Sequence, residues 1–356
     1  MEKITMLEQD LLFNSMNQEI PFDSYQNKTI LVTGATGLIG SNLIRTLLYA
    51  NHQRNLNMHV TGLVRNEEKA RRIMGDLMND SALTILKKDL LEVSAEDVEA
   101  SGRPDYIFHT AAVTTSKLLV QQPVEAIEGA VLGTGRILRL AADCGCSSVV
   151  YLSSMEMYGT ASVELVKEND LGYINPLNVR SNYPESKRMC ENMCAAYASE
   201  YHVPVKIARL SQTFGPGILP GENRVFAQFA RSVMNGQDIV MHTKGLSEGN
   251  YCYLREAIAA LMILLVKGKD GEAYNIVNES THTTIAAMAE MLCNEFGNGK
   301  SKVVFDIPES NVFGYAADAK IRLSGEKMRN LGWTPVIGLK EMYSRMMQSM
   351  QEEKEA

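Results

Sequence analysis

The fold is decided by the stretch Thr33-Gly34-Ala35-Thr36-Gly37-Leu38-Ile39-Gly40, which joins a β-branched apolar run to a helical pattern. Gly34 permits a tight turn, Gly37 lets the backbone approach a pyrophosphate closely, and Gly40 lets the helix pack against the strand. The free N–H groups and the positive dipole end of the helix favour an anion. In this strand–turn–helix context, the G-x-x-G-x-x-G spacing predicts a dinucleotide-binding loop.

Strand and helix patterns alternate after this loop. Apolar runs typical of buried strands lie at 29–33, 59–64, 83–87, 106–110, 148–153 and 205–210, and helical patterns lie at 41–50, 67–77, 124–144 and 186–201. Such alternation predicts βαβ units and a parallel sheet that is covered on both faces. The expected fold class is α/β, a Rossmann-type doubly wound parallel sheet with a smaller C-terminal α/β substrate domain.

The end of the second strand pattern bears on which dinucleotide is bound. Dinucleotide sites that prefer NAD usually place an acidic residue here, whereas an arginine can accommodate the 2′-phosphate of NADP. Val64 occupies the place of the acid and Arg65 follows it. Arg65 therefore favours NADP modestly, although it could also lie on the adenine or be a solvated surface residue.

After residue 214, strand and helix patterns alternate less regularly. Turn signals at 215–217 and 219–221 precede helical patterns at 225–234, 256–266 and 285–296, with short strand-like pieces at 238–242, 273–277 and 302–306. We expect an N-terminal extension over 1–27, an NAD(P)-binding Rossmann domain over 28–214, and a mainly substrate-binding domain over 215–356, with the chain crossing back. In the extension, one short apolar helix face is predicted from Leu7, Leu11, Leu12 and Met16.

The composition is that of an ordinary globular protein. Of 356 residues, 45% are hydrophobic and 22% are charged, which excludes disorder and collagen, and a net charge of −7 gives no electrostatic drive toward nucleic acid. The longest apolar run, 257–266, is half of what a bilayer span needs, and the acidic N-terminus does not resemble a signal peptide. The six cysteines have neither disulfide-framework nor zinc-site spacing. We expect a cytoplasmic, metal-free enzyme with no nucleic-acid or membrane partner.

A tyrosine and a lysine four residues apart lie at the start of the helical pattern at 186–201. Tyr183 and Lys187 share one helix face, and Pro184 fits the first turn. A free tyrosine has a pKa near 10, but a nearby ammonium and a cationic nicotinamide both favour the phenolate. The pair therefore predicts a base that is usable near neutral pH.

Several motifs in a fixed order resemble the extended short-chain dehydrogenase/reductase family, in its nucleotide-sugar epimerase/dehydratase group. They are the stretch 33–40, His109-Thr110-Ala111-Ala112, Ser153-Ser154 before Tyr158-Gly159, Tyr183 with Lys187, Phe214-Gly215-Pro216, 271–277, and Leu331-Gly332-Trp333-Thr334-Pro335. The resemblance extends from about residue 28 to residue 347 and leaves the first 27 residues outside.

The resemblance implies a cofactor, NAD or NADP, and a nucleotide-diphosphate sugar as substrate. NAD follows from the family, while Arg65 leaves NADP open. The implied cofactor-binding residues are Gly34, Thr36, Gly37, Leu38, Ile39, Arg65, Asp89, Leu90, Thr110, Ala111, Ala112, Tyr183 and Lys187. The expected substrate-binding residues are Gln212, Arg224 and Lys244.

The resemblance also assigns chemical roles. Tyr183 would take the hydroxyl proton as hydride leaves the sugar, Lys187 would bind the nicotinamide ribose and tune Tyr183, and Ser154 would hydrogen-bond the same hydroxyl. Glu156 matches a glutamate of the family's dehydratases, where it abstracts the C5 proton, and of its sugar-acid decarboxylases. Ser154 could instead cap the next turn, Glu156 could be an exposed loop carboxylate, and His109 is expected to be structural.

Some positions depart from the family pattern. Met155 replaces the acidic aspartate of one dehydratase type, Ala130 and Gln212 stand where asparagines are usual, and Gly249 and the segment 313–315 lack arginines that usually lie near the diphosphate. Lys244, Arg224 or Arg255 could supply the missing positive charge.

Several reactions remain open from the sequence. The first is epimerisation or dehydration through a 4-keto sugar, and its alternatives are decarboxylation of a nucleotide sugar and NADP-dependent carbonyl reduction. A non-catalytic dinucleotide-binding protein is the remaining alternative, although Ser154, Tyr183 and Lys187 are all present. Relatives often dimerise through the helices that correspond to 124–144 and 186–201, so a homodimer is expected.

Overall fold

The structure is a computed structural model that describes residues 4–219, 221–309 and 318–355. The strands are β1 Thr29–Thr33, β2 His59–Val64, β3 Leu83–Lys87, β4 Tyr106–His109, β5 Ser148–Ser154, β6 Val205–Leu210, β7 Gln212–Phe214, β8 Ile239–Met241, β9 Glu248–Tyr253, β10 Ala273–Ile276, β11 Asn278–Thr284 and β12 Val303–Phe305. The α-helices are α1 Met6–Met16, α2 Leu38–Arg54, α3 Glu67–Met74, α4 Ala95–Glu99, α5 Ser116–Gln121, α6 Pro123–Cys144, α7 Asn182–Glu200, α8 Val225–Met234, α9 Leu254–Lys267, α10 Ile285–Phe296, α11 Glu326–Arg329 and α12 Leu339–Glu355.

Seven parallel strands form the central sheet, in the order β10-β6-β5-β4-β1-β2-β3. Alternate side chains of each strand enter different cores, as a pleated strand requires. In β1, Ile30 and Val32 pack with α2 and α9, whereas Leu31 packs with α6 and α7. Helices therefore cover both faces of the sheet, which confirms the doubly wound α/β prediction.

A smaller region follows β6 along the chain. The three-stranded sheet β11-β9-β7 and the two-stranded sheet β12-β8 lie here, and a separate apolar core joins α8, α10 and α12. β10 nevertheless pairs with β6, and α9 packs on the central sheet. The chain thus returns to the first sheet after it has entered the smaller region.

The predicted strands at 59–64, 83–87 and 205–210 match the structure residue for residue, whereas some helix ends were wrong. The helix predicted at 41–50 begins at Leu38, because Gly37 is its N-cap and Gly40 lies inside the first turn. The helix predicted at 67–77 ends at Met74, and a 3₁₀ turn over Gly75–Asn79 follows, since Gly75 has a positive φ of 56°.

The N-terminal extension packs against the rest of the molecule. α1 contacts α2, α9 and α12, and the predicted apolar helix face is not the face that it buries most. Asp10, Asn14 and Ser15 are buried, whereas Met16 is 66% exposed and the leucines at 7, 11 and 12 are half-buried. The extension continues through a 3₁₀ turn, Phe22–Tyr25, both of whose aromatic rings are buried.

Within the described residues, no helix is both long enough and apolar enough to cross a bilayer. All six cysteines are free thiols. The segment 313–315, where an arginine is usual in the family, lies outside the described residues.

Candidate active site

The sheet has a topological switch point between β1 and β4, because β2 and β3 extend it on one side and β5 extends it on the other. Thr33 and His109 end these two strands and are register partners. In open α/β sheets, ligands bind in the crevice outside the carboxyl ends of strands at such a point. The glycine stretch and the segment 110–112 both leave the sheet here.

The glycine stretch has the close packing that a dinucleotide loop needs. Gly34 has a φ of +65°, and a Cβ there would lie 2.8 Å from the backbone of Ala111. A Cβ on Gly40 would meet the Gly34 carbonyl and the Thr110 hydroxyl. Gly37 caps α2 without any side-chain hydrogen bond, so the first-turn N–H groups can bind a pyrophosphate. The loop therefore fits the dinucleotide that the sequence implies.

Thr110 connects this loop to the next strand. Its hydroxyl donates to the Thr33 carbonyl at 2.7 Å, and the Ala111 N–H donates to the Thr33 hydroxyl at 3.2 Å. Three further residues predicted for the cofactor, Thr36, Leu38 and Ile39, are half-buried in or beside the first turn of α2. The loop and the segment after β4 thus form one continuous rim of the crevice.

The remaining residues predicted for the cofactor lie after β2, β3 and β4. Arg65 is exposed directly after β2. Asp89 accepts a hydrogen bond from the Leu91 N–H at 2.9 Å, and Leu90 packs where α6 has Gly133 in place of a side chain. Ala112 is exposed beyond β4. They therefore all lie beyond the carboxyl ends of strands of the central sheet.

His109 is a structural residue in this crevice. Its Nδ1 lies 2.7 Å from the Thr33 hydroxyl and its Nε2 lies 3.1 Å from the Thr134 hydroxyl. Burial, with a smaller effect of Lys187, lowers the pKa of His109 to about 3. The imidazole is therefore neutral and joins β1, β4 and α6.

Lys187 is buried one turn after Tyr183 on α7, which begins at Asn182 rather than at the predicted Ser186. Its ammonium donates to the Leu152 carbonyl at 2.6 Å and lies 4.8 Å from the centre of the Tyr151 ring. Burial lowers the pKa of Lys187 to about 8, while Cys190 and Glu191 act in the opposite direction. Lys187 is thus held at the end of β5 with its ammonium aimed at the strand.

Tyr183 lies beside Ser154, the last residue of β5. Burial and the Glu156 carboxylate raise the pKa of Tyr183 to about 12, while a hydrogen bond with Ser154 and the charges of Arg224 and Arg180 act in the opposite direction. Desolvation of the phenol thus outweighs the nearby protein cations, and the predicted base near neutral pH also counts on the positive charge of a nicotinamide. The Ser154 hydroxyl also accepts from the Glu156 N–H at 3.2 Å, so the capping alternative is true as well.

Glu156 faces Tyr183 from a 3₁₀ turn, Met155–Tyr158, that follows β5. Its side chain is 39% exposed, yet the surrounding protein raises its pKa by desolvation. Arg180 lies 3.9 Å away and lowers that pKa. Glu156 is therefore part of the cluster around Tyr183 and not merely an exposed loop carboxylate.

Arg180 is a residue that the sequence reasoning missed. It lies in a 3₁₀ turn, Val179–Ser181, and its own N–H donates to the Asn178 side-chain oxygen at 3.0 Å. The available signal was its position three residues before Tyr183, directly ahead of the helix. It brings a positive charge close to Glu156 and Tyr183.

The predicted substrate residues are spread over the smaller region. Gln212 begins β7 and is half-buried, Arg224 precedes α8 and pairs with Glu222 at 2.6 Å, and Lys244 is exposed between β8 and β9. The charge of Arg224 reaches Tyr183. A Cβ on Gly249 would lie 3.4 Å from the Met155 methyl group, so Met155 occupies the space beside this glycine.

The geometry agrees with comparisons to known proteins. Residues 30–277 match the model of the NAD dependent epimerase/dehydratase family. The chain is 26% identical to UDP-glucuronic acid decarboxylase 1 of Xenopus tropicalis, over 96% of this chain and 76% of the relative. It is also 26% identical to the dTDP-D-glucose 4,6-dehydratase of Homo sapiens, over 88% of this chain and 87% of the relative.

A solved structure shares nearly the whole fold. It is the epimerase Mth375 of Methanothermobacter thermautotrophicus, with a TM-score of 0.79 and 25% identity over 99% of this chain and 98% of that chain. The family model covers more than half of the residues, and its region includes the glycine stretch, Ser154, Tyr183 and Lys187. The chain is therefore an enzyme of the NAD dependent epimerase/dehydratase family.

Proposed function

We propose that this enzyme oxidises a hydroxyl of a nucleotide sugar with NAD as hydride acceptor and then acts on the keto sugar through Glu156. The observation that carries the proposal is the clustering of Ser154, Glu156 and Tyr183 at the carboxyl end of β5. The Ser154 hydroxyl accepts from the Glu156 N–H and hydrogen-bonds with Tyr183, and the Glu156 carboxylate acts on the pKa of Tyr183 through its charge. Oxidation needs a base at the hydroxyl, and the next step needs a second base near the adjacent carbon. This cluster supplies both.

Tyr183 takes the proton of the sugar hydroxyl, and Ser154 orients that hydroxyl. When bound, NAD would supply the hydride acceptor and a positive charge. Lys187 holds the end of β5 through the Leu152 carbonyl, so its charge stays close to Tyr183. Because burial raises the pKa of Tyr183, these positive charges have to offset desolvation before the phenolate can form.

Glu156 is the base of the second step. A ketone acidifies the neighbouring C–H bond, so the Glu156 carboxylate can take that proton while the electron pair moves onto the carbonyl oxygen. Met155 has no proton to donate, which disfavours the dehydratase type that uses an aspartic acid at that position. Proton abstraction by Glu156 is compatible with a dehydration that uses another acid, or with epimerisation at the carbon next to the ketone. Epimerisation at the ketone carbon itself returns the hydride to the other face and needs no such base.

Decarboxylation of a nucleotide-linked sugar acid is the second candidate, and Arg180 is the observation that favours it. A guanidinium that reaches both Glu156 and Tyr183 could hold the carboxylate of a uronic acid at the reacting end of the sugar. The relative from Xenopus tropicalis is named as such a decarboxylase.

The two regions of the molecule would share the substrate. We assign cofactor binding to residues 28–214 with the returning segment 254–277, and substrate binding to the rest of 215–356. Gln212 and Arg224 then lie where the two regions meet, and Lys244 lies farther out. The exposed Arg65 leaves room for a 2′-phosphate, so NADP should be tested beside NAD.

We also propose a homodimer through α6 and α7. Val124, Ile127, Leu132 and Met189 are large apolar residues on these helices, and each is between 42% and 60% exposed. A four-helix interface would bury them together. Light scattering should report a dimer for the wild type and a monomer for Leu132→Asp.

The proposal is tested by incubating the protein and NAD with UDP-glucuronic acid and with dTDP-D-glucose. Mass spectrometry separates loss of water, loss of carbon dioxide and an unchanged mass, which indicate dehydration, decarboxylation and epimerisation. Tyr183→Phe should reduce turnover by about 100-fold or more, because the base is lost. Tyr201→Phe, at the far end of α7 and 45% exposed, is the matched control. Equal rates for the two variants would contradict the assignment of Tyr183.

A further inference from the structure

A row of polar side chains crosses the central sheet next to the segment that carries Ser154 and Glu156. Ser153 on β5 is the register partner of Arg209 on β6, and Arg209 is the register partner of Asn275 on β10. All three are buried. Because register partners project to the same face, they form a polar layer within an otherwise apolar sheet.

The centre of this row is a buried ion pair between Arg209 and Glu191 of α7. Nε and Nη2 of Arg209 donate to the two carboxylate oxygens at 3.0 and 2.6 Å, and the Ser153 hydroxyl donates to Oε1 at 2.5 Å. Burying two charges is costly, and well-packed apolar residues are often as stable in their place. The ion pair therefore calls for a role other than stability.

The same guanidinium also contacts the last residue of the 3₁₀ turn Met155–Tyr158. Nη1 of Arg209 donates to the Tyr158 hydroxyl at 2.8 Å, and that hydroxyl donates to Oδ1 of Asn275 at 2.7 Å. The chain leaves the polar row at Ser153 and returns to it at Tyr158. Residues 154–157, which include Ser154 and Glu156, are thus a short span with both ends attached to one ion pair.

The helix that carries the base is attached to this ion pair as well. Tyr183, Lys187 and Glu191 are four residues apart, so they share one face of α7. Tyr183 hydrogen-bonds with Ser154, and Lys187 donates to the Leu152 carbonyl. Glu191 accepts from the Ser153 hydroxyl. Glu191 therefore fixes the distance between this face of α7 and the end of β5.

We propose that Glu191 and Arg209 are positioning residues that hold the two halves of the active site, α7 with Tyr183 and the span 154–157 with Glu156, in one fixed arrangement. Tyr158 holds the end of the span that carries Glu156, and Ser153 holds the end that carries Ser154. The inference rests on the proposed function, since it assigns these groups to consecutive steps. It predicts that substitutions at the two ends of the span slow different steps of the reaction.

The experiment compares Tyr158→Phe, Ser153→Ala and Glu191→Gln, with Glu200→Gln at the exposed end of α7 as control. The first step is followed as reduction of NAD in a single turnover with UDP-glucuronic acid or dTDP-D-glucose, and the second as uptake of solvent deuterium into the product. Tyr158→Phe should slow the second step by about 100-fold and leave the first unchanged, because a misplacement of about 1 Å costs that much. Ser153→Ala should slow the first step, and Glu191→Gln should slow both, with kcat affected far more than KM.

A second measurement does not depend on turnover. Amide hydrogen exchange of residues 153–158 should be at least about tenfold faster in Glu191→Gln than in the wild type or in Glu200→Gln, because the span has lost its attachment. Should neither sugar nucleotide reduce NAD in the wild type, the proposed function fails and this exchange measurement still decides the positioning role. The inference is overturned by unchanged exchange in Glu191→Gln, or by a Tyr158→Phe variant that slows both steps equally or neither.

Discussion

The guanidinium of Arg180 lies 3.9 Å from the Glu156 carboxylate, and both groups act on the phenol of Tyr183 with opposite sign. Burial raises the pKa of Glu156 and Arg180 lowers it. Arg180→Met should therefore raise that pKa further, so the acidic limb of the kcat/KM profile should move to higher pH. The measurement is kcat/KM against pH with the sugar nucleotide that the wild type converts.

Arg103→Gln is the control for this experiment. Arg103 is exposed, pairs with Glu99 at 2.7 Å, and lies outside the active site. Its profile should coincide with that of the wild type. An Arg180→Met profile with the same acidic limb as the control would show that Arg180 does not act on Glu156.

Gly40→Ala should abolish NAD binding. The added Cβ would meet the Gly34 carbonyl and the Thr110 hydroxyl, so α2 would be pushed away from the loop that it supports. Gly129→Ala on α6 is the matched control, because a Cβ there meets nothing within 4 Å. Calorimetric titration with NAD should show no binding for Gly40→Ala and wild-type binding for Gly129→Ala. Wild-type affinity in both variants would contradict the proposed loop.

Stability should fall on acidification because of His109. The pKa of His109 is lowered to about 3 in the folded protein, against about 6.5 when unfolded, so the unfolded state binds more protons between these values. The contribution of His109 to the free energy of unfolding is complete above pH 6.5. It is lost as the pH falls toward 3, at about 1.4 kcal/mol per pH unit. Urea unfolding at several pH values should show a flatter dependence for His109→Gln than for the exposed control His52→Gln. Parallel curves would count against a buried neutral imidazole.

The sheet strands were predictable from sequence because they are buried on both faces. The largely apolar runs at 59–64 and 205–210 have the same bounds in the structure, although Lys206 and Arg209 interrupt the second run. The glycine stretch and the Tyr183–Lys187 spacing were equally readable. Each depends on residues within one turn or one loop, where spacing along the chain determines spacing in the molecule.

Contacts between distant segments were not predictable in the same way. The pairing of Glu191 with Arg209 requires α7 to be placed against β6, and no periodicity in the sequence reports that placement. The pKa of Tyr183 depends on the balance between burial and four neighbours, one of which is Arg180. The direction of that shift could only be obtained from the folded arrangement.

The helix of the N-terminal extension was predicted to have a short apolar face, but the face that it buries carries a carboxylate. Asp10 accepts a hydrogen bond from the Tyr253 hydroxyl at 2.5 Å and pairs with Arg255 at 3.3 Å, while the Asn14 amide donates to the Arg255 carbonyl at 3.0 Å. These partners are about 240 residues away, so a helical pattern within the first 27 residues could not indicate them.

Asp10→Asn should consequently destabilise the whole protein rather than a loose terminus. The substitution leaves the Arg255 guanidinium buried without its counter-charge, and breaking a buried ion pair costs about 3 kcal/mol or more. Asp23→Asn in the 3₁₀ turn Phe22–Tyr25 is the matched control, because Asp23 is exposed. Urea unfolding should give a lower midpoint for Asp10→Asn and an unchanged one for Asp23→Asn. The same midpoint in both variants would mean that α1 can detach without cost, and that the extension adds nothing to the stability of the two regions it connects.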